Sequence, residues 1–229
     1  RVFAENAVKR FRNMAMMDVI NMIDIIDAIG VFAFAISGIR MAANKGFDLF
    51  GAFVVGFATA IGGGTIRDLL LGVTPVWMTN SLYVTMTILA LLFVVVFRKR
   101  LIHMNVTLFI FDTFGLALYT VVGIEKTLAM DYAFPWWVPI TMGTLGGAAG
   151  GIIRDVLLAE VPLIFKKEIY ATACIFGGVI FFICDALGAN HLVSDFVCAG
   201  VVVAARILAV RIFIRVGRRL IASIVRMRS

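Results

Sequence analysis

The 229-residue sequence is 62% hydrophobic and only 15% charged, with a mean hydropathy of +1.03. A water-soluble domain carries about a quarter charged residues, so this composition excludes a soluble globular protein and indicates an integral membrane protein. The formal net charge is +7, but the basic residues lie at the ends of apolar runs and in the tail, which indicates membrane topology and argues against a nucleic-acid-binding surface.

The chain contains seven apolar runs, each close to the length of about 20 residues that crosses a bilayer. Residues 1–17 precede them as a separate N-terminal segment, part of which need not be native because Arg1 is not an initiator. The connections are short, so we expect no large module outside the membrane. The predicted spans lie near residues 23–42, 48–66, 77–97, 106–124, 134–153, 169–187 and 192–213.

The first six spans are a duplication. The sequence GGGTIRDLLL at residues 62–71 returns as AGGIIRDVLL at residues 149–158, which is an offset of 87 residues. Further identical pairs continue the relation at offsets of 87 or 85 residues: Pro75 and Pro162, Tyr83 and Tyr170, Asp27 and Asp112. Because each copy holds three spans, the second copy must enter the membrane from the opposite face.

We therefore predict an all-α membrane protein with seven transmembrane helices, arranged as two inverted three-helix repeats plus a seventh helix. Repeat 1 occupies residues 18–100, repeat 2 residues 101–190, and the seventh span with a basic tail residues 191–229. The Lys and Arg distribution predicts a cytoplasmic C-terminus and an N-terminus outside. Four arginines of the tail are expected to lie on anionic lipid headgroups: Arg211, Arg215, Arg218 and Arg219.

The duplicated glycines mark the most unusual part of each repeat. They are Gly62, Gly63 and Gly64 in the first copy, and Gly150 and Gly151 in the second. One interpretation is close helix packing. The other, which we favour because the cluster is duplicated, is a kink or unwound turn whose freed carbonyls line a water-filled path and favour cations.

An Arg-Asp pair follows each glycine cluster. An arginine at the bilayer centre costs on the order of 3 kcal/mol, so each should face a partner or a water cavity. Sequence neighbours point about 100° apart on a helix, so we expect partners across the repeats or at the matched aspartates. The pairs serve either as a structural ion-pair network or as the barrier and gate of a path. They are Arg67 and Asp68, Arg154 and Asp155, with supporting charges at Asp27 and Asp112.

Several hydroxyl groups on spans 1, 2 and 5 are candidate ligands for a permeating ion, although such groups often bond to their own helix instead. Tyr83 and Tyr170 are interpreted as packing or interfacial aromatic residues. The candidate hydroxyls belong to Thr59, Thr65, Thr144 and Ser37.

No motif for catalysis or for a cofactor is present, so we expect neither an enzyme nor a bound cofactor or metal. Cys174, Cys184 and Cys198 lack metal-ligand spacing, and they are interpreted as core residues. His103 and His191 lie at span ends, far apart in sequence.

The duplicated Gly-Gly-x-x-x-Arg-Asp blocks in a chain of three, three and one spans resemble the bacterial branch of the trimeric intracellular cation (TRIC) channels. The resemblance covers about residues 18–215. It implies homotrimers in the bacterial inner membrane, with one pore per protomer lined by spans 2 and 5 bent at their glycines, and passage of monovalent cations, potassium foremost. Members also carry the label glycine transporter. A cation channel is therefore our first hypothesis, and a secondary transporter for a small zwitterion such as glycine is the alternative.

Overall fold

The computed structural model describes the backbone of residues 2–101, 105–166 and 169–228, and the side-chain surroundings of residues 22–98, 101, 107–165 and 169–211. All regular secondary structure in these ranges is helical. The helices are α1 Val2–Asn44, α2 Leu49–Leu70, α3 Val76–Thr79, α4 Leu82–Val96, α5 Arg98–Leu101, α6 Asn105–Leu128, α7 Trp137–Leu157, α8 Leu163–Lys166, α9 Ala171–Ala186 and α10 His191–Arg228.

Four of the described segments are long and apolar enough to cross a membrane. They are Met22–Asn44, Leu49–Leu70, Thr107–Leu128 and His191–Arg211. The predicted fifth span corresponds to α7, a continuous helix of 21 residues that contains its glycines and its Arg-Asp pair. All-helical structure and several membrane-spanning segments are thus confirmed.

The third and sixth predicted spans are shorter than expected. Helix α4 has 15 residues and α9 has 16, which correspond to about 23 Å of helix at a rise of 1.5 Å per residue. The reason for the short α4 lies at its start. Pro75 begins the separate short helix α3, which ends before the extended Asn80, so the predicted span 77–97 is divided between two helices.

Helices α2 and α7 cross in contact at the duplicated glycines. A Cβ atom on Gly63 would lie 2.0 Å from the carbonyl oxygen of Gly146, and one on Gly150 would lie 2.4 Å from the carbonyl oxygen of Thr59. Since Thr59 meets Gly150 and Gly63 meets Gly146, the two helices run antiparallel. Only residues without a side chain allow backbones to approach this closely.

Helices α1 and α6 contact each other in the same reciprocal way. A Cβ atom on Gly30 would lie 2.9 Å from the Tyr119 ring, and one on Gly115 would lie 2.6 Å from the Phe34 ring. Gly115 and Tyr119 follow Gly30 and Phe34 by 85 residues, so each copy places a ring against the glycine of the other. Helix α10 packs against α9 and α6 and brings a further arginine to this assembly.

Candidate functional site

The glycine clusters do not form an unwound turn. Helix α2 continues through Gly62, Gly63 and Gly64, and helix α7 continues through Gly150 and Gly151. The prediction that these glycines free their carbonyls is therefore wrong for this structure. Close packing explains them, because the helices meet at Gly63 and Gly150 too closely for any side chain.

One turn beyond each crossing glycine, a buried arginine begins a cluster of polar side chains. Arg67 follows Gly63 by four residues and Arg154 follows Gly150 by four. Because the helices are antiparallel, the two arginines lie on opposite sides of the crossing. We define the first cluster as Asp27, Arg67, Asp68, Tyr83 and Lys126, and the second cluster as Ser37, Asp112, Arg154, Asp155, Tyr170 and Arg206.

The second cluster is centred on Arg154, which is fully buried. Its Nη1 donates to Asp112 Oδ1 and to Ser37 Oγ, each at 2.6 Å. Its Nε donates to Asp155 Oδ1 at 2.9 Å. The pairing of Arg154 with Asp112 is the one expected from the sequence, and it joins α7 to α6 while Ser37 joins α7 to α1.

Helix α10 completes the second cluster. Arg206 Nη2 donates to Asp112 Oδ2 at 3.1 Å, so one carboxylate serves two arginines. The Arg206 guanidinium also lies 4.6 Å from the centre of the Tyr170 ring and 5.2 Å from that of Phe109. Tyr170 Oη in turn donates to Asp112 Oδ1 at 3.3 Å. Such charge-assisted bonds in a buried site are stronger than neutral ones.

The first cluster contains the equivalent aspartates of repeat 1, but its hydrogen bonds follow a different pattern. Arg67 donates through Nε and Nη2 to Asp68 Oδ1 at 2.8 and 2.7 Å. Asp27 accepts from the Tyr83 hydroxyl and from Lys126 Nζ, the latter at 3.5 Å. Asp27 is therefore held by α4 and α6, and the expected pairing of Arg67 with Asp27 gives way to that with Asp68.

The expectation that neighbouring Arg and Asp residues do not pair is wrong in both repeats. Arg67 bonds to Asp68, and Arg154 to Asp155. The guanidinium stands at the end of a long side chain and can turn back over its neighbour, which an angle between Cα–Cβ directions does not capture. The second oxygen of each aspartate accepts a backbone N–H beyond the helix end, from Val76 at 3.3 Å or from Leu163 at 2.9 Å.

The threonine hydroxyls mostly bond to their own helices. Thr59, Thr65 and Thr144 donate to the carbonyl oxygens four residues earlier, at 2.6, 2.8 and 2.8 Å. Thr65 also accepts from Trp77 Nε1 at 3.1 Å. Of the four candidate hydroxyls, Ser37 is the one that belongs to a charged cluster, through its bond with Arg154.

Sequence reasoning missed four members of the clusters. Tyr83 and Tyr170 are buried in the core, which confirms the packing interpretation, but the sequence did not indicate that each also bonds to a cluster aspartate. Each tyrosine follows the Arg-Asp pair of its repeat at the same spacing, and this spacing was the sequence signal for the shared role. Lys126 and Arg206 have no basic counterpart in the duplication. Met41 occupies the position in repeat 1 that matches Lys126, and Arg206 lies outside both repeats. No pattern therefore pointed to them.

Other predicted residues lie apart from these clusters. Arg211 is exposed on α10, and the side chains of Arg215, Arg218 and Arg219 fall outside the described residues. His103 also falls outside them, while His191 lies 3.3 Å from Glu125. Among the described residues, no group of three or more His, Cys, Asp or Glu is placed to hold a metal ion. All three cysteines are free.

Replacement of Ser37 by alanine is expected to lower the free energy of unfolding by about 1–3 kcal/mol, because a buried guanidinium N–H of Arg154 loses its acceptor. Ser81 is the control, since it is exposed and its side chain makes no cap bond. Thermal unfolding of both variants in detergent measures the difference. An equal, small shift for the two variants would contradict the role given to Ser37.

Comparisons with known proteins agree on one family. The family model described as glycine transporter matches residues 24–99 and 109–186. A UPF0126 membrane protein of Vibrio cholerae serotype O1 is 42% identical over 180 residues, covering 77% of this chain and 73% of the relative. The UPF0126 inner membrane protein YadS of Escherichia coli K12 is 42% identical over 158 residues, covering 68% of this chain and 75% of the relative.

Solved structures give the same result. The match to a TRIC cation channel structure has 36% sequence identity and a TM-score of 0.71. It covers 82% of this chain and 93% of the channel chain. The TRIC trimeric intracellular cation channel orthologue from Rhodobacter sphaeroides is 32% identical, with 82% and 96% coverage and a TM-score of 0.76. The resemblance read from the duplicated blocks is confirmed, and the chain belongs to the bacterial branch of the TRIC family.

Proposed function

We propose that this protein is a potassium-permeable channel for monovalent cations in the bacterial inner membrane, assembled as a homotrimer with one pore per protomer. The observation that carries the proposal is the antiparallel crossing of α2 and α7 with a buried arginine cluster on each side. Solved relatives at 31–36% identity are cation channels, and one of them is described as trimeric.

We further propose that the chain forms two inverted repeats of three spans plus a seventh span, with the domain limits predicted from the sequence. The reciprocal contacts between α1 and α6 support this, as does the antiparallel crossing of the equivalent helices α2 and α7. The N-terminus would lie outside and the C-terminus, with its arginines on lipid headgroups, in the cytoplasm.

The proposed pore is closed at the glycine contact. Thr59 and Gly146 are repeat equivalents, and each carbonyl oxygen points at a glycine of the opposite helix. These carbonyls already accept helical bonds, but each oxygen retains a second lone pair. If α2 and α7 separate, the two oxygens face the gap and can replace part of the hydration shell of a cation. Arg67 and Arg154 would set the electrostatic barrier on either side.

Single-channel recording tests the proposal. The purified protein in planar bilayers under a KCl gradient is expected to give discrete current steps that reverse near the potassium equilibrium potential. Arg67→Met removes a positive charge beside a cation path, so the unitary conductance should rise roughly twofold. Arg211→Gln, which changes an exposed residue of α10, should leave it unchanged.

The alternative is a secondary transporter for a small zwitterion such as glycine, the function that the family model is named after. An arginine near a helix terminus could bind the carboxylate of such a substrate. Absence of current steps, together with saturable glycine uptake into liposomes, would overturn the channel and favour the transporter.

A further inference from the structure

The two clusters share four pairs of equivalent residues but differ in their hydrogen bonds. Arg154 bonds to three different side chains, those of Asp112, Asp155 and Ser37. Its counterpart Arg67 bonds to Asp68, and its buried Nη1 has no hydrogen-bond partner. The Oδ1 atom of Asp27 is likewise buried and unpartnered. The second cluster also has two such atoms, Arg154 Nη2 and Arg206 Nε. Both of those are donors, whereas the two atoms of the first cluster are a donor and an acceptor that a rearrangement could pair with each other.

The difference arises from residues that break the repeat. Ser37, which accepts from Arg154, is matched by Val122 in the other copy, and Val122 offers no acceptor. Arg206 comes from α10, which has no counterpart in either repeat. Its side chain is 2% exposed and bonds to Asp112, whereas the Lys126 side chain on Asp27 is 22% exposed, with Nζ 3.5 Å from the carboxylate. A contact of this length is at the limit of a hydrogen bond.

The space around the arginines differs in the same sense. Gly64 and Gly151 are repeat equivalents. A Cβ atom on Gly64 would meet nothing closer than 3.6 Å, whereas one on Gly151 would lie 2.3 Å from Tyr170 Oη. A cavity beside the first cluster is lined by Gly64, Thr65 and Arg67 among others. The surroundings of Arg67 are thus less tightly packed than those of Arg154.

We infer that Arg206 is a positioning residue that fixes the second cluster, so that movement of the helices begins at the first cluster. This inference rests on the proposed function only for its consequence, namely that opening of the pore starts at Arg67. In the moving state, Arg67 reaches Asp27 and displaces Lys126, which reproduces the arrangement that Arg154 and Asp112 already show. Helix α10 is then the element that makes two similar halves behave differently.

Cysteine labelling at matched positions tests the inference without measuring current. Thr65→Cys and Ile152→Cys occupy equivalent positions in the two repeats, and both residues are half-buried. A difference in their reaction with a water-soluble methanethiosulfonate reagent therefore reports local opening more than static exposure. Mass spectrometry of the purified full chain resolves each site and separates it from the native cysteines, of which Cys174 and Cys198 are buried.

We expect position 65 to react at least tenfold faster than position 152. Arg206→Met should raise the rate at position 152 at least tenfold and leave the rate at position 65 within twofold. If that variant does not fold, Arg206→Lys, which keeps the charge but loses the planar fork, should still raise it at least threefold. Equal rates in the two single-cysteine proteins, or continued protection of position 152 in a folded Arg206 variant, would overturn the inference. Failure to observe channel currents would count against the proposed function but leave this result standing.

Discussion

Replacement of Gly63 by alanine is expected to destabilise the folded protein by about 1–3 kcal/mol, although alanine is the better helix former. The new Cβ would lie 2.0 Å from the carbonyl oxygen of Gly146, and the obstacle is backbone, which cannot move aside as the end of a side chain can. Helices α2 and α7 would have to separate, with loss of the contacts around the crossing. Thermal unfolding in detergent, followed by the helical signal, measures the effect.

Gly64→Ala is the matched control, one residue further along the same helix. Its Cβ would meet its nearest neighbours at 3.6 Å, which is ordinary contact, so the gain in helix propensity should leave stability unchanged or raise it by up to about 1 kcal/mol. If both variants lose the same stability, the glycines serve backbone flexibility and not close approach. If neither does, the crossing is looser than the structure indicates.

The composition and the duplication predicted an all-helical membrane protein because both are global patterns, and the family followed from the resemblance of the duplicated blocks. Hydropathy alone identifies apolar segments, since every backbone polar group in a membrane must be satisfied within a helix or a barrel. The two Arg-Asp pairs were recognisable as buried polar sites for the same reason. The correct partner of Arg154 followed from the repeat, because Asp112 was one of a pair of matched acidic residues.

The state of the glycines could not be predicted from sequence. The same residues are required by a close helix crossing and by an unwound turn, and only the position of the opposing backbone separates the two. Lys126 and Arg206 were missed for a different reason. Lys126 has no basic equivalent in repeat 1, and Arg206 lies outside both repeats, so a comparison of the repeats identifies neither residue.

The largest loss of stability in the polar clusters is expected for Asp112→Asn. The carboxylate accepts from Arg154 at 2.6 Å and from Arg206 at 3.1 Å, so the amide leaves two buried cations facing one neutral group. The NH2 group of the new amide also points a donor towards one of the two guanidinium groups, which are donors themselves. Removing one partner of a buried ion pair costs about 3–5 kcal/mol. The unfolding temperature and the yield of folded protein in detergent should both fall markedly.

Asp27→Asn in the first cluster is the matched variant, and it should cost only about 1 kcal/mol. The Tyr83 hydroxyl can still donate to the amide oxygen, and the partly exposed Lys126 can turn its ammonium group towards water. The ratio of the two effects therefore measures how unequally the repeats are held. Similar losses for the two variants would mean that Asp27 is as tightly bound as Asp112 and that Lys126 is not the movable partner. A much larger loss for Asp112→Asn would locate the rigid part of the protein where α10 meets α6, and would leave the first cluster as the place where the helices can rearrange.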